Sequence, residues 1–153
     1  DRIRSIACDA CLRTTVITGF PGETESDFDE LFDCIEKIRF DHLGVFIYSD
    51  SEDLASHGLA HHVPEETAMA RHDAIMSRQM DLSTENNEKY LHQTLPVLIE
   101  EMPEKGLYMG RTVFQAPEVD GITYVRKDGL TIGEFADVRI IDTLEYDLTG
   151  EVL

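Results

Sequence analysis

Cys11-Leu-Arg-Thr-Thr-Val-Ile-Thr-Gly-Phe-Pro-Gly-Glu-Thr24 passes, within one short stretch, from a β-branched run to a Gly-Pro-Gly corner and then to a helix start. Thr14, Thr15, Val16, Ile17 and Thr18 favour a pleated chain, Gly19 and Gly22 permit backbone angles that a Cβ resists, and Pro21 stiffens the bend between them. Thr24 with Asp27 three positions on is the Thr-x-x-Asp form of a capping box, and Glu25 lies where the helix dipole favours negative charge. A helix is therefore predicted from Glu25, and Phe28, Leu31, Phe32, Ile35 and Ile38 give it one apolar stripe. After Phe40-Asp-His42, the run Leu43-Gly-Val-Phe-Ile-Tyr48 is short and apolar throughout, the pattern of a parallel strand covered on both faces. The unit is strand, helix, strand. Its chemistry is expected where the strands end, at Gly19 to Glu23 and Ser49 to Asp53.

The 153 residues suffice for one compact domain or two small ones, and neither a signal-peptide pattern nor a membrane-length apolar run is present, so a soluble, cytoplasmic protein without a membrane partner is expected. The chain opens at Asp1 rather than at a methionine, and residues 2 to 7 read as the end of a helix, as in a piece of a longer protein. Thirty-one Asp and Glu against thirteen Lys and Arg leave a formal charge of −18, with no cationic cluster. That balance serves solubility, disfavours a phosphate backbone as partner and attracts a basic protein. Cys8, Cys11 and Cys34 are too few and scattered for a disulfide framework. Cys8-Asp-Ala-Cys11 has the C-x2-C spacing of zinc and redox sites, but a second ligand pair is missing and Cys11 heads a strand. His57, His61 and His62 lie in a loop without neighbouring cysteines and read as solvated side chains rather than metal ligands.

From Pro64 to about Tyr90 a polar segment carries Met69, His72, Ile75, Met76, Met80 and Ser83 along one side, predicting a helix roughly 40 Å long with methionines as core filler. A domain boundary is expected at its end, dividing the chain into residues 1–91 and 92–153. Beyond it the period changes from helical to alternating: Thr94 to Ile99, Leu107 to Phe114, Ile122 to Val125, Ala136 to Ile141 and Thr149 to Leu153 are punctuated by glycines. Five short strands in so few residues predict a small, closed or nearly closed, OB-like β-barrel, since closure removes exposed edges. Barrels of this size often bind single-stranded nucleic acid through a basic groove and stacking aromatics. Residues 92–153 hold five Lys and Arg against twelve Asp and Glu, a net charge of −7, which favours a protein partner. Of Tyr108, Phe114, Tyr124, Phe135 and Tyr146, most are expected in core packing because they alternate within short strands.

Leu12-Arg-Thr-Thr-Val-Ile-Thr-Gly-Phe-Pro-Gly-Glu-Thr24, Phe46-Ile-Tyr-Ser49, Val63-Pro-Glu-Glu66 and the terminal barrel together resemble the carboxyl half of a radical SAM methylthiotransferase followed by its TRAM domain. Within the barrel, Gly110-Arg111, Ala116-Pro-Glu-Val-Asp-Gly121 and Glu145-Tyr-Asp-Leu-Thr-Gly-Glu151 are more similar to the RimO-type branch, which modifies an aspartate of a small-subunit ribosomal protein, than to the MiaB-type branch, which modifies tRNA.

The resemblance implies an α/β plus all-β fold. Leu12 to Thr18 and Leu43 to Tyr48 would be the last two strands, a βαβ portion, of a six-stranded incomplete TIM-type barrel, with the TRAM β-barrel behind them. It implies S-adenosyl-L-methionine over the strand ends, with Ile17 and Gly19 near the adenosyl moiety, Phe46, Ile47 and Tyr48 flanking the adenine, and Gly22 and Glu23 shaping the mouth. It also implies two 4Fe-4S clusters held by cysteine motifs, one of them C-x3-C-x2-C. No such motif occurs in this chain, and Cys8 stands where the resemblance implies a proline or similar residue rather than a ligand, so no catalytic residue or metal ligand is assigned here and the chain alone is expected to be inactive. Ser49-Asp-Ser-Glu-Asp-Leu54 also departs from the family's Pro-Glu-Glu-Gly-Thr-like loop. The partner implied is a basic small-subunit ribosomal protein; the alternatives are the tRNA-modifying branch and a non-catalytic acidic adaptor. A half barrel would leave apolar edges, predicting self-association or rearranged packing of residues 1 to 60.

Overall fold

A computed structural model describes residues 2–152. The chain divides into two compact units, one ending at Leu82 and the other beginning at Ser83. The first opens with a short helix, α1 (Arg2–Ile6), followed by β1 (Arg13–Thr18), α2 (Glu25–Ile38) and β2 (His42–Ile47). A long helix, α3 (Glu65–Asn87), contains the division point.

β1 and β2 pair in parallel, Arg13 opposite His42 through Thr18 opposite Ile47. The helix between them starts where the capping box places it. The Thr24 side chain accepts from the Asp27 amide and the Asp27 carboxylate accepts from the Thr24 amide. At its other end Arg39 adopts a left-handed conformation (φ 53°) and donates its amide to the Ile35 carbonyl. Arg4 of α1 closes this end by donating to the carbonyls of Ile38 and Arg39 and pairing with Asp41, 3.1 Å away. Asp41 also accepts from the Leu12 amide at 2.8 Å, which anchors the start of β1.

The core of this unit is Ile35, Leu43, Val45, Ile75 and Leu82, with Val16, Phe28, Leu31, Phe32, Phe40 and Met76 packed around it. The helices thus cover only one face of the two-stranded sheet. Ile17 is 51 % exposed and its cross-strand partner Phe46 is 65 % exposed, so the apolar run of β2 is not covered on both faces as its composition predicts. The expected face of α3 is corrected in part: Ile75 and Ser83 are buried and Met76 packs on the core, but the buried track continues through other positions. Ala68, Arg71, Ile75, Gln79 and Leu82 are buried, whereas Met69 and Met80 are exposed. A track through positions 68, 71, 75, 79 and 82 follows the 3.6-residue period as well as the methionine track does, and it includes two polar residues that composition alone assigns to solvent.

The second unit contains the end of α3, a 3-10 turn (Glu88–Tyr90) and five strands: β3 (Thr94–Glu104), β4 (Leu107–Arg111), β5 (Thr123–Arg126), β6 (Phe135–Thr143) and β7 (Leu148–Val152). They close into a barrel in the order β3-β4-β5-β7-β6. All pairs are antiparallel except β5 and β7, which run parallel. Closure buries Val97, Ile99, Tyr108, Val125, Val138, Ile140 and Leu148. β4 stops at Arg111 rather than Phe114 because the chain turns at Thr112, whose carbonyl accepts from the Gln115 amide. The buried Gln115 side chain in turn accepts from the Thr112 amide and the Thr112 and Thr123 hydroxyls. The aromatics divide. Tyr108 is buried and Phe114 stacks on Tyr90 (centroids 4.2 Å, planes 6° apart), but Phe135 and Tyr146 are exposed.

Candidate functional site

The carboxyl ends of β1 and β2 meet the start of α3 around a cavity of about 470 Å³. Gly19, Ile47, Tyr48, Ser49, Asp50 and Ala68 contribute to its lining, with His62, Val63 and Glu65. Gly19 adopts φ +82°, and a Cβ there would collide with the Ala68 side chain; Gly22 adopts φ +91° with open space around it. The first glycine lets α3 approach and the second only turns the chain.

Three backbone donors of this turn are already committed. The Gly19 amide donates to Glu23 Oε2 at 3.0 Å, the Gly22 amide to the His61 carbonyl at 2.9 Å and the Glu23 amide to the Phe20 carbonyl at 2.9 Å. A glycine-rich turn at a helix N-terminus ordinarily cradles phosphate with such amides. Here a carboxylate occupies that place, so the turn is unsuited to an anionic group.

Glu23 is held from below by Arg71, whose guanidinium lies 2.5 Å from Glu23 Oε1 and 2.9 Å from Glu25 Oε2 and sits 5.4 Å from the centre of the Phe28 ring. Arg71 is 7 % exposed. Its hydrogen bonds to Glu25 and then Glu23 hold it charged against the cost of burial.

At the other strand end Tyr48 packs edge-on against Phe20, with centroids 5.3 Å apart, and its hydroxyl contacts Asp50 Oδ1 at 3.1 Å and Ser56 Oγ at 2.9 Å. His57 Nδ1 lies 2.8 Å from Asp50 Oδ2 and His62 Nδ1 4.0 Å from it. The hydrogen bond from His57, with help from Tyr48, holds the Asp50 carboxyl below the usual carboxylate range. The cavity therefore joins an apolar, aromatic wall to acceptor-rich walls at Asp50 and Glu65, a combination suited to an aromatic, donor-bearing or cationic ligand.

Of the residues singled out from sequence, Gly19, Ile47 and Tyr48 line this cavity. Gly22 and Glu23 build the adjoining turn, and Ile17 and Phe46 stand opposite each other on the open face of the sheet. His57 and His62 are exposed, as expected of solvated side chains, and they also tie their loop to Asp50. Arg71 escaped the sequence reading, although a charged residue in register with Ala68 and Ile75 was the signal that would have found it. Cys8 and Cys34 are exposed, Cys11 is half-buried, and among the described residues no group of three or more His, Cys, Asp and Glu is placed to hold a metal ion.

Comparison with known proteins bears on both units. Residues 93–153 match the TRAM domain. The chain is 49 % identical, over 99 % of its length, to the ribosomal protein uS12 methylthiotransferase RimO of Clostridioides difficile, of which it covers 34 %. Over almost its whole length, the chain is similar to RimO-type proteins. The RimO of Desulfosudis oleivorans is also 49 % identical over 99 % of the chain, and that of Fervidobacterium nodosum 44 % over all of it. The chain spans about a third of the length of these RimO relatives. Both the strand-end turn and the barrel lie within the segment they share with it. Among the described residues, no helix is long and apolar enough to cross a membrane.

Proposed function

We propose that this chain is the cofactor-side wall and the substrate-docking domain of a cytoplasmic radical SAM enzyme that methylthiolates the β-carbon of an aspartate in ribosomal protein uS12. The observation that carries the reading is the similarity to RimO-type relatives along the whole chain, through the strand ends and the TRAM barrel alike. Functionally the chain is divided at residues 91 and 92, with the wall before that point and the docking barrel after it.

The strand ends have a chemistry that fits S-adenosyl-L-methionine. Tyr48 and Ile47 offer an apolar, aromatic surface, Asp50 and Glu65 offer acceptors, and the turn at Gly19 commits the amides of Gly19, Gly22 and Glu23 within the protein, which disfavours a phosphate-bearing competitor. Ile17 and Phe46 would meet the ligand from the open face, with Gly22 and Glu23 holding the turn at its mouth. When bound, S-adenosyl-L-methionine would supply hydrogen abstraction at the aspartate β-carbon, after one-electron reduction by a cluster of the whole enzyme. The residues of this chain bind and orient; its cysteines do not fit a 4Fe-4S cluster, since they lack the C-x3-C-x2-C spacing. The clusters belong to the whole enzyme, and the chain alone is expected to show no turnover.

The barrel supports a basic protein as partner. Two of its five cations, Arg111 and Arg139, are already engaged on its surface by Glu100 at 2.8 Å and Glu151 at 2.6 Å, which further reduces the positive potential a nucleic acid would need. Titration of the full chain against uS12 and against a tRNA anticodon stem tests the reading. Saturable binding of the ribosomal protein that weakens with salt is expected; preferential binding of the tRNA would transfer the chain to the tRNA-modifying branch. Protein binding without any S-adenosyl-L-methionine affinity or turnover in the full-length enzyme would leave only an acidic adaptor.

A further inference from the structure

We propose that Arg71 is a positioning residue for the strand-end turn, acting through Glu23 on the amide of Gly19, and so setting the shape of the S-adenosyl-L-methionine site; the last clause rests on the function proposed above. The two oxygens of Glu23 face different partners. Oε1 lies 2.5 Å from the Arg71 guanidinium, and Oε2 accepts from the Gly19 amide at 3.0 Å. One carboxylate therefore bridges the buried face of α3 to the first residue beyond β1.

Three features make this a positioning device rather than an incidental ion pair. Arg71 is 7 % exposed, and the side chain of Glu23 is 12 % exposed, so the pair is shielded from the solvent screening that makes exposed pairs weak. The guanidinium cannot swing away, because Phe28 packs beneath it and Glu25 takes its other nitrogen. The residue being held is Gly19, whose left-handed backbone would otherwise have many alternatives and which lines the cavity directly. Glu25, by contrast, is 74 % exposed at its side chain and bears on the turn through its contact with Arg71 rather than by accepting from the Gly19 amide. The buried carboxylate reaches the Gly19 amide directly, whereas the exposed one steadies only the guanidinium.

Amide hydrogen exchange in the full chain, with S-adenosyl-L-methionine titrated into the full-length enzyme, tests the proposal. Arg71→Met and Glu23→Gln are each expected to speed exchange at Gly19 by about tenfold or more, as loss of a charge-assisted hydrogen bond predicts, while Val45 in the strand core stays protected. Arg71→Lys, which can reach one carboxylate but not fork between two, should fall between. Glu25→Gln, which keeps an oxygen for the guanidinium to donate to and leaves Glu23 in place, should speed exchange at Gly19 far less than Glu23→Gln. The same variants should rank in the same order in Kd for S-adenosyl-L-methionine. If Arg71→Met fails to fold, Glu23→Gln decides the matter, because it keeps the volume and removes the charge. Uniformly faster exchange at Gly19 and Val45 alike, or an effect of Glu25→Gln equal to that of Glu23→Gln, would show a general stabilising role and overturn the proposal. Absence of S-adenosyl-L-methionine binding in the unaltered enzyme would overturn the functional reading instead, and the exchange at Gly19 would still decide the role of Arg71.

Discussion

Gly19 and Gly22 look alike in sequence, both glycines with positive φ in one turn, yet they are not equivalent. Gly22 has open space where a Cβ would go, so Gly22→Ala is expected to lose about 1 kcal/mol from backbone strain alone. Gly19→Ala adds a collision with Ala68 on α3 and should lose at least ~2 kcal/mol; denaturant unfolding of the two variants checks the contrast. Asp27 offers a pH test. Its hydrogen bonds from Thr24, the backbone one first, hold its carboxyl below the ordinary value of 3.8. Because the folded value is the lower one, the stability it contributes is complete above the ordinary Asp range and is lost as acid titrates the folded carboxylate. The stability difference between the unaltered chain and Asp27→Asn should therefore shrink as the pH falls through that window.

At the scale of the element, α3 carries the clearest departure from simple patterning. Of the methionines along one stripe only Met76 packs on the core, and the packed face runs instead through the neighbouring positions, where small Ala68 lets the strand-end turn approach and Ile75 and Leu82 fill the core. Ile75→Ala is accordingly expected to cost ~2–5 kcal/mol, whereas Met69→Gln and Met80→Gln should each stay within about 0.5 kcal/mol of the unaltered chain, as thermal or chemical unfolding would report. The capping box of α2 was legible because both partners are local in sequence, three residues apart. The face of α3 was not legible in the same way, since period alone leaves two neighbouring stripes nearly degenerate.

At the scale of the molecule, the two units differ in how they manage their edges. The barrel closes on itself through the parallel pairing of β5 with β7 and leaves no strand unpaired, whereas the sheet of β1 and β2 keeps one face bare, with Ile17 opposite Phe46. Such a face, with Phe20 also 43 % exposed nearby in sequence, predicts concentration-dependent association of the isolated chain. Sedimentation velocity over a range of concentrations should show it, and Phe46→Lys should reduce it. The charge excess, the strand-turn-helix boundary at Gly19 to Thr24 and the change from helical to alternating period were all determined by sequence alone, because each depends on composition or on neighbours a few residues apart. Only the tertiary structure decided that Glu23 answers to Arg71, far along the chain on another helix, and that Asp50 gathers Tyr48, His57 and His62. Those pairings depend on which side of a helix meets the sheet and where a loop folds back, quantities set by packing across the whole unit and carried by no local pattern.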